Sequence, residues 1–116
     1  MEVRSKIWIE ADGKPLFGSG REALLKSIDR LGSINKAAKD IHISYRKALS
    51  YIQSMEERTG SRLVERQAGG VNGGGAVLTR EAKDFLRKFE QLEDGINEML
   101  DKKFLEVFGS RKGKRQ

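Results

Sequence analysis

The chain has 116 residues, a length that suits one domain with its own hydrophobic core. Its net charge is +6 and its pI about 9.7, which favours a polyanionic partner such as nucleic acid. The sequence has no cysteine, so disulfide bonds and thiolate metal sites are excluded. Neither a membrane-length apolar run nor a signal-peptide core is present. We therefore expect a cytoplasmic protein with no membrane partner.

The first residues predict a β-hairpin. The apolar residues of its first strand are Val3, Ile7 and Ile9, and they alternate with charged residues. The pair Asp12-Gly13 suits the positive-φ positions of a tight turn, and Leu16-Phe17 would form the return strand. Trp8 falls outside the alternation, and we expect it to pack over the following helix.

The next segment predicts a helix from about Gly20 to Leu31, with Ser19 as its N-cap and Gly32 as its terminating residue. One face of this helix carries the apolar residues Leu24, Leu25, Ile28 and Leu31. We expect the helix to support the elements that follow, and we assign it no direct chemistry.

Residues 33–59 predict a helix–turn–helix. The first helix follows Ser33, and its apolar residues are Ile34, Ala37, Ala38 and Ile41. The second helix follows Ser44 and ends at Gly60, and its inner face carries Ala48, Ile52 and Met55. The small Ala37 and Ala38 allow two helices joined by so tight a turn to cross closely.

The outer face of the second helix predicts contacts with DNA. Its exposed residues at the end that would enter a major groove are Tyr45, Arg46, Lys47 and Ser50. We expect Arg46 or Lys47 to donate to guanine edges, and we expect phosphate contacts from Ser44, Lys36 and Arg62. The alternative is an ordinary helical hairpin with a solvated basic face.

Residues 62–79 predict a wing. Leu63-Val64 and Val77-Leu78 indicate two short strands, joined by the glycine-rich stretch AGGVNGGG. Such a loop can bring backbone N–H groups close to phosphates, although a hairpin tip without contacts is an equal alternative. A nucleotide-binding P-loop is excluded because Ala76, and not lysine with a hydroxyl residue, follows the glycine run.

Residues 79–108 predict a long helix that pairs two subunits. Apolar residues follow a heptad spacing and its extension: Phe85, Phe89, Leu92, Ile96, Met99, Leu100 and Phe104. This stripe is wider than one small domain covers, so we predict a dimer interface, with folding back onto the same chain as the alternative. The organisation expected is therefore a domain over residues 1–108 and a disordered basic tail over 109–116.

Two stretches, GSINKAAKDIHISYRKALSYI and LVERQAGGVNGGGAVLTREA, resemble the DNA-binding domain of the molybdate-responsive ModE family and, more widely, the LysR-type winged helix. The resemblance covers most of residues 32–82. It implies an α+β, mainly helical winged helix–turn–helix with an N-terminal β-hairpin and a long C-terminal dimerisation helix.

The resemblance also implies a homodimer on an inverted-repeat operator. It brings Ser44, Tyr45, Arg46, Lys47 and Ser50 to the major groove and Asn72 to the wing. His42 stands in the turn, where this family usually has glycine, and histidine tolerates positive φ better than most side chains. Family members carry C-terminal oxyanion-binding domains, and this chain stops before them, so we do not expect molybdate binding.

The leading hypothesis is a dimeric transcription regulator that binds double-stranded DNA. The alternative is a dimerisation adaptor that keeps the fold but binds a partner regulator instead of DNA. An enzyme is not expected, because one histidine and no cysteine leave no credible pair of nucleophile and base. No cofactor or metal is expected.

Overall fold

A computed structural model describes residues 1–67 and 75–109 of the chain. Its elements, in order, are β1 (Ile9–Ala11), β2 (Lys14–Phe17), α1 (Ser19–Leu31), α2 (Ile34–Asp40), α3 (Tyr45–Thr59), β3 (Val64–Gln67), β4 (Gly75–Leu78) and α4 (Arg80–Phe108). Among these residues, no helix is both long enough and apolar enough to cross a membrane.

The chain divides into two compact units. The central unit is Trp8–Leu86 and contains the two hairpins, α1, α2, α3 and the start of α4. The terminal unit combines Met1–Ile7 with the chain from Arg87 onward. Within the terminal unit, the Ser5 hydroxyl donates a hydrogen bond to Asn97 Oδ1 at 3.0 Å.

The N-terminal hairpin forms at the predicted turn but is shorter than predicted. Asp12 and Gly13 have φ values of +52° and +76°, as the tight turn requires. The prediction that the first strand starts at Val3 is wrong, because pairing begins with Ile9 opposite Phe17. The return strand β2 has four residues, so it offers no partner to the chain before Ile9.

Two further local predictions are wrong. Trp8 does not pack over a helix: it is 56% exposed, and its indole N–H donates to the Glu10 carboxylate at 2.9 Å. Ser19 is the first residue of α1 and not its cap. The preceding Gly18 supplies the carbonyl that accepts the first helical hydrogen bond, from the Glu22 N–H at 2.8 Å, and no side chain caps this end.

The core of the central unit lies between α1 and the elements that it contacts, namely α2, β2 and β4. The predicted inner face of α1 is confirmed at its fully buried members, Leu24, Leu25 and Ile28. Leu31 differs, since it lies in the last turn and is 37% exposed. The Phe17 ring contacts Phe85 edge-on, with ring centroids 4.8 Å apart, which fastens the N-terminal hairpin to the start of α4.

The predicted ends of the two central helices are confirmed. The Ser33 hydroxyl accepts a hydrogen bond from the Lys36 N–H at 3.1 Å, and the Ser44 hydroxyl accepts one from the Lys47 N–H at 3.0 Å. Gly60 follows α3 with φ at +72°, where its N–H donates to Glu56 O at 2.9 Å. These caps set where α2 begins and where α3 begins and ends.

The conformation of Gly60 leads to a prediction. Replacing Gly60 with alanine should lower the free energy of unfolding by about 1–2 kcal/mol, because a Cβ is strained at this positive φ although space is open around it. As a control, Gly20→Ala in α1 should raise it by up to about 1 kcal/mol, since Gly20 has helical geometry and open surroundings. Urea denaturation measures both, and an unchanged stability of Gly60→Ala would contradict the argument.

Candidate nucleic-acid interface

The turn between α2 and α3 determines the direction in which α3 leaves the core. Ala37 and Ala38 of α2 and Ala48 of α3 are at most 1% exposed, and such small buried side chains allow the contacting helices to approach closely. The Ile43 N–H donates to Ala38 O at 2.9 Å and closes the turn. His42 has φ at +62°, which confirms that it occupies the positive-φ position predicted for it.

The residues predicted to approach the major groove all lie on the exposed side of the first turns of α3. Tyr45 is 44% exposed, and the other three, Arg46, Lys47 and Ser50, are also exposed. Ser44 is exposed as well, with its hydroxyl oxygen held by the cap of α3. Lys36 is exposed in the first turns of α2.

The first turn of α3 carries positively charged side chains and no negatively charged one. This turn has no acidic residue, whereas Arg46 and Lys47 both lie in it. Cations at the positive end of a helix dipole are unfavourable by a few tenths of a kcal/mol each, and anions are favourable there. The N-terminus of α3 is therefore electrostatically suited to a negatively charged partner.

Arg62 lines a groove formed by residues of α2, α3 and the start of the wing. The groove has a volume of about 320 Å³ and is lined by Ile34, Leu49, Ile52, Gln53, Glu56, Arg62, Val64 and Arg66. Sequence reasoning found Arg62 but missed Arg66. The signal was available, because Arg62, Val64 and Arg66 have the period-two spacing that puts side chains on one face of a strand.

Glu56 and Thr79 together hold the start of the wing. The Glu56 Oε2 atom accepts hydrogen bonds from the Leu63 N–H at 2.8 Å and the Val64 N–H at 3.2 Å. On the other side, the Thr79 hydroxyl donates to Arg62 O at 2.8 Å and the Thr79 N–H donates to Leu63 O at 3.0 Å. The sequence alone assigned no contact to Glu56.

The predicted wing strands are confirmed. β3 and β4 pair antiparallel, with Val64 opposite Leu78 and Gln67 opposite Gly75. The Ala76 N–H also donates to Gly32 O at 2.9 Å, which ties β4 to the end of α1. The glycine loop with Asn72 and residues 110–116 of the basic tail lie outside the described residues, so the predicted contacts of the loop and the predicted disorder of the tail stay predictions.

Two cationic side chains lie close to the ring of Tyr51 in α3. The Arg21 guanidinium of α1 lies over the Tyr51 ring, 4.3 Å from its centroid, and the Lys47 ammonium lies 5.7 Å from the same centroid. Arg21 also donates to Ser54 Oγ at 3.4 Å. Burial lowers the pKa of Arg21, the Tyr51 hydroxyl raises it, and the charge of Arg58 lowers it.

The predicted dimer residues of α4 fall into three groups. The Phe85 ring contacts Phe17, and the Phe89 side chain is only 2% exposed. Both side chains therefore pack largely within their own chain. Leu92 is 45% exposed and Met99 is 66% exposed. The remaining members, Ile96, Leu100 and Phe104, are half-buried, and exposed apolar side chains continue the surface at Leu105, Val107 and Phe108.

Comparison with known proteins establishes the family. Residues 23–83 match the family model of bacterial regulatory helix-turn-helix proteins of the LysR family. The chain belongs to this family. The matched residues contain α2, α3 and both wing strands, which are the elements that build the surface described above.

Two relatives confirm the predicted resemblance to ModE. The transcriptional regulator ModE of Haemophilus influenzae is 42% identical over 73 residues, which are 63% of this chain and 29% of that protein. The DNA-binding transcriptional dual regulator ModE of Escherichia coli K12 is 44% identical over 92 residues, which are 79% of this chain and 35% of that protein. The chain thus spans about a third of the length of these curated relatives.

A solved structure confirms the predicted fold class. The chain matches the protein in a crystal structure of a CbnR_DBD–DNA complex with a TM-score of 0.58, over 76% of this chain and 95% of that chain. The sequence identity is 20%, so the match establishes a shared fold. That fold is a mainly helical winged helix–turn–helix, and in this chain it includes an N-terminal hairpin and the long helix α4.

The contacts of Glu56 lead to a second prediction. Glu56→Ala should lower the free energy of unfolding by about 1–3 kcal/mol, because two part-buried N–H groups lose their acceptor. Amide exchange at Leu63 and Val64 should accelerate selectively. The control is Glu57→Ala, which removes the same charge at the next, exposed position and should change neither measurement. Equal effects of the two substitutions would contradict the assigned contacts.

Proposed function

We propose that this protein is a transcription regulator that binds double-stranded DNA and inserts the start of α3 into the major groove. The observation that carries the proposal is the first turn of α3, which presents exposed Arg46 and Lys47 and contains no acidic residue. The LysR-family fold supports it, because the second helix of a helix–turn–helix enters the major groove with its N-terminal residues. A DNA-reading role implies that the protein acts in the cytoplasm.

The exposed side chains divide into base-reading and phosphate-binding groups. Arg46 or Lys47 donates to guanine edges, since both extend from the first turn of α3. Lys36, Ser44 and Arg62 bind phosphates and fix the register on the duplex. Arg62 is suited to this task because the bonds from Glu56 and Thr79 hold its backbone beside α3. Tyr45, Ser50 and, on the wing, Asn72 complete the proposed DNA contacts.

The relatives support a role in gene regulation. The two ModE proteins are described as transcriptional regulators, and one of them as DNA-binding. The LysR-family match of this chain includes α2, α3 and the wing strands, which are the parts assigned to DNA here. We therefore propose regulation by operator binding, and not DNA packaging, as the outcome of that contact.

We further propose that the protein acts as a homodimer on an inverted-repeat operator. The support is the exposed apolar surface of α4 at Leu92 and Met99, which is unusual on a helix otherwise rich in charged residues. Pairing α4 with the same helix of a second subunit would remove this surface from water. A two-fold symmetric dimer would then read two half-sites related by the same symmetry.

The roles of Arg46 and Lys36 can be tested by two substitutions. Arg46→Ala should cost about 1–3 kcal/mol of binding free energy at one operator position and relax the base preference there. Lys36→Ala should weaken binding to all sequences similarly and reduce the salt dependence by about one unit of slope. Titration of single-position operator variants, followed by fluorescence anisotropy, measures both effects. A uniform loss from both substitutions would contradict these roles.

The interface on α4 can be tested by placing a charge in it. Met99→Lys should shift the protein from dimer to monomer in sedimentation equilibrium, because Met99 is 66% exposed and central in the apolar stripe. The control is Asp101→Lys, which introduces the same residue at an exposed position two residues along the helix, on another face. A dimer that persists in Met99→Lys, or dissociates equally in Asp101→Lys, would contradict the interface.

A further inference from the structure

The cluster around Tyr51 brings together cations from two helices. Arg21 comes from α1, whereas Lys47, Tyr51 and Arg58 come from α3. The Tyr51 ring lies close to both the Arg21 guanidinium and the Lys47 ammonium, at 4.3 and 5.7 Å from its centroid. Arg58 is near enough for its charge to act on Arg21, and it is held by a hydrogen bond to Pro15 O.

Within the described part of the chain, no acidic side chain pairs with the cations of this cluster. None of the ion pairs found among residues 1–67 and 75–109 involves Arg21, Lys47 or Arg58. The Arg21 Nε atom is buried and has no hydrogen-bond partner within those ranges. Its outer Nη2 atom makes only a long hydrogen bond, 3.4 Å to Ser54 Oγ. Burial and the charge of Arg58 both lower the pKa of Arg21, and the buried Nε donor without an acceptor adds its desolvation cost.

An anion beside the cluster offsets the repulsion between its cations. The π-face of Tyr51 holds Arg21 in place without neutralising it, so the guanidinium keeps its capacity to donate hydrogen bonds. Lys47 is exposed in the first turn of α3, so the cluster adjoins the end of the helix assigned to the major groove. The nearest anion to a protein docked in this way is the phosphate chain that borders the groove.

We propose that Arg21 and Lys47, arranged around the Tyr51 ring, form a binding site for a phosphodiester of the DNA backbone, so that α1 takes part in binding. The inference rests on the proposed function. The site lies on the side of α3 that faces α1. It adds one contact to the DNA-binding surface proposed for α2, α3 and the wing. The site binds phosphate and does not read bases, so its contribution is the same for every DNA sequence. With Lys47 at a phosphate, Arg46 is the residue of the two that donates to guanine edges.

The test measures duplex binding by Arg21→Gln in the full chain, across a series of salt concentrations. We expect the affinity to fall about three- to tenfold, equally for a preferred and a scrambled duplex, and the slope of log affinity against log salt to shrink by about one. The control is Lys83→Gln, which removes the same charge from an exposed position on α4 and should leave the slope unchanged. Thermal unfolding by circular dichroism checks that both variants are folded.

Two substitutions of Tyr51 test the role of the ring. Tyr51→Phe keeps the face on which Arg21 lies and should bind like the wild type. Tyr51→Leu removes that face and should lose part of the Arg21 contribution, whereas the double variant with Arg21→Gln should lose no more than Arg21→Gln alone.

The outcomes separate this inference from the function on which it rests. Wild-type protein that binds no duplex would contradict the proposed function and this site with it. Wild-type binding with a slope that Arg21→Gln leaves unchanged, or changes no more than Lys83→Gln does, would overturn the phosphate site alone. A loss confined to the preferred duplex would also overturn it, because a backbone contact weakens all sequences equally.

Discussion

The close crossing of α2 and α3 is the constraint on which the exposed face of α3 depends. Ala37, Ala38 and Ala48 are buried where larger side chains would force the helices apart. The chain must then reverse within a few residues, and His42 adopts a φ of +62° in this turn. This conformation is unfavourable in free energy for any residue other than glycine. Because this geometry sets the direction of α3, Arg46 and Lys47 in its first turn are exposed to solvent, and Lys47 also lies close to the Tyr51 ring.

Hydrogen bonds also fix the position of the wing relative to α3 and α1. One carboxylate, Glu56, joins the middle of α3 to the backbone that precedes β3, and Thr79 joins that same backbone to the start of α4. The bond from Ala76 to Gly32 fixes the second wing strand to the end of α1. The base of the wing is therefore placed relative to α3 by bonds on three sides. A DNA-binding surface benefits from this arrangement, because contacts already in place lose less conformational entropy on binding.

Sequence reasoning found the elements whose signals are local. Helix spacing, serine caps and terminal glycines predicted α2 and α3, whereas the positive φ of His42 was implied by the family resemblance, since glycine is usual at that position. Alternation overextended the first strand, because a pattern of period two does not reveal how long the partner strand is. The cluster of Arg21 and Tyr51 was missed because these residues lie on different helices, and no local spacing relates them. For the same reason the bonds of Glu56 to the wing were invisible in the sequence. Contacts of this kind depend on tertiary packing alone.

The central claim is that this chain reads DNA sequence as a symmetric dimer. Selection of bound duplexes from a random library tests it most directly. The account predicts enrichment of an inverted repeat whose half-sites are separated by about one helical turn, as two recognition helices related by two-fold symmetry require. Recovery of DNA without any preferred sequence, bound only through salt-sensitive attraction, would contradict the account and favour an adaptor that uses the same fold to bind a partner regulator.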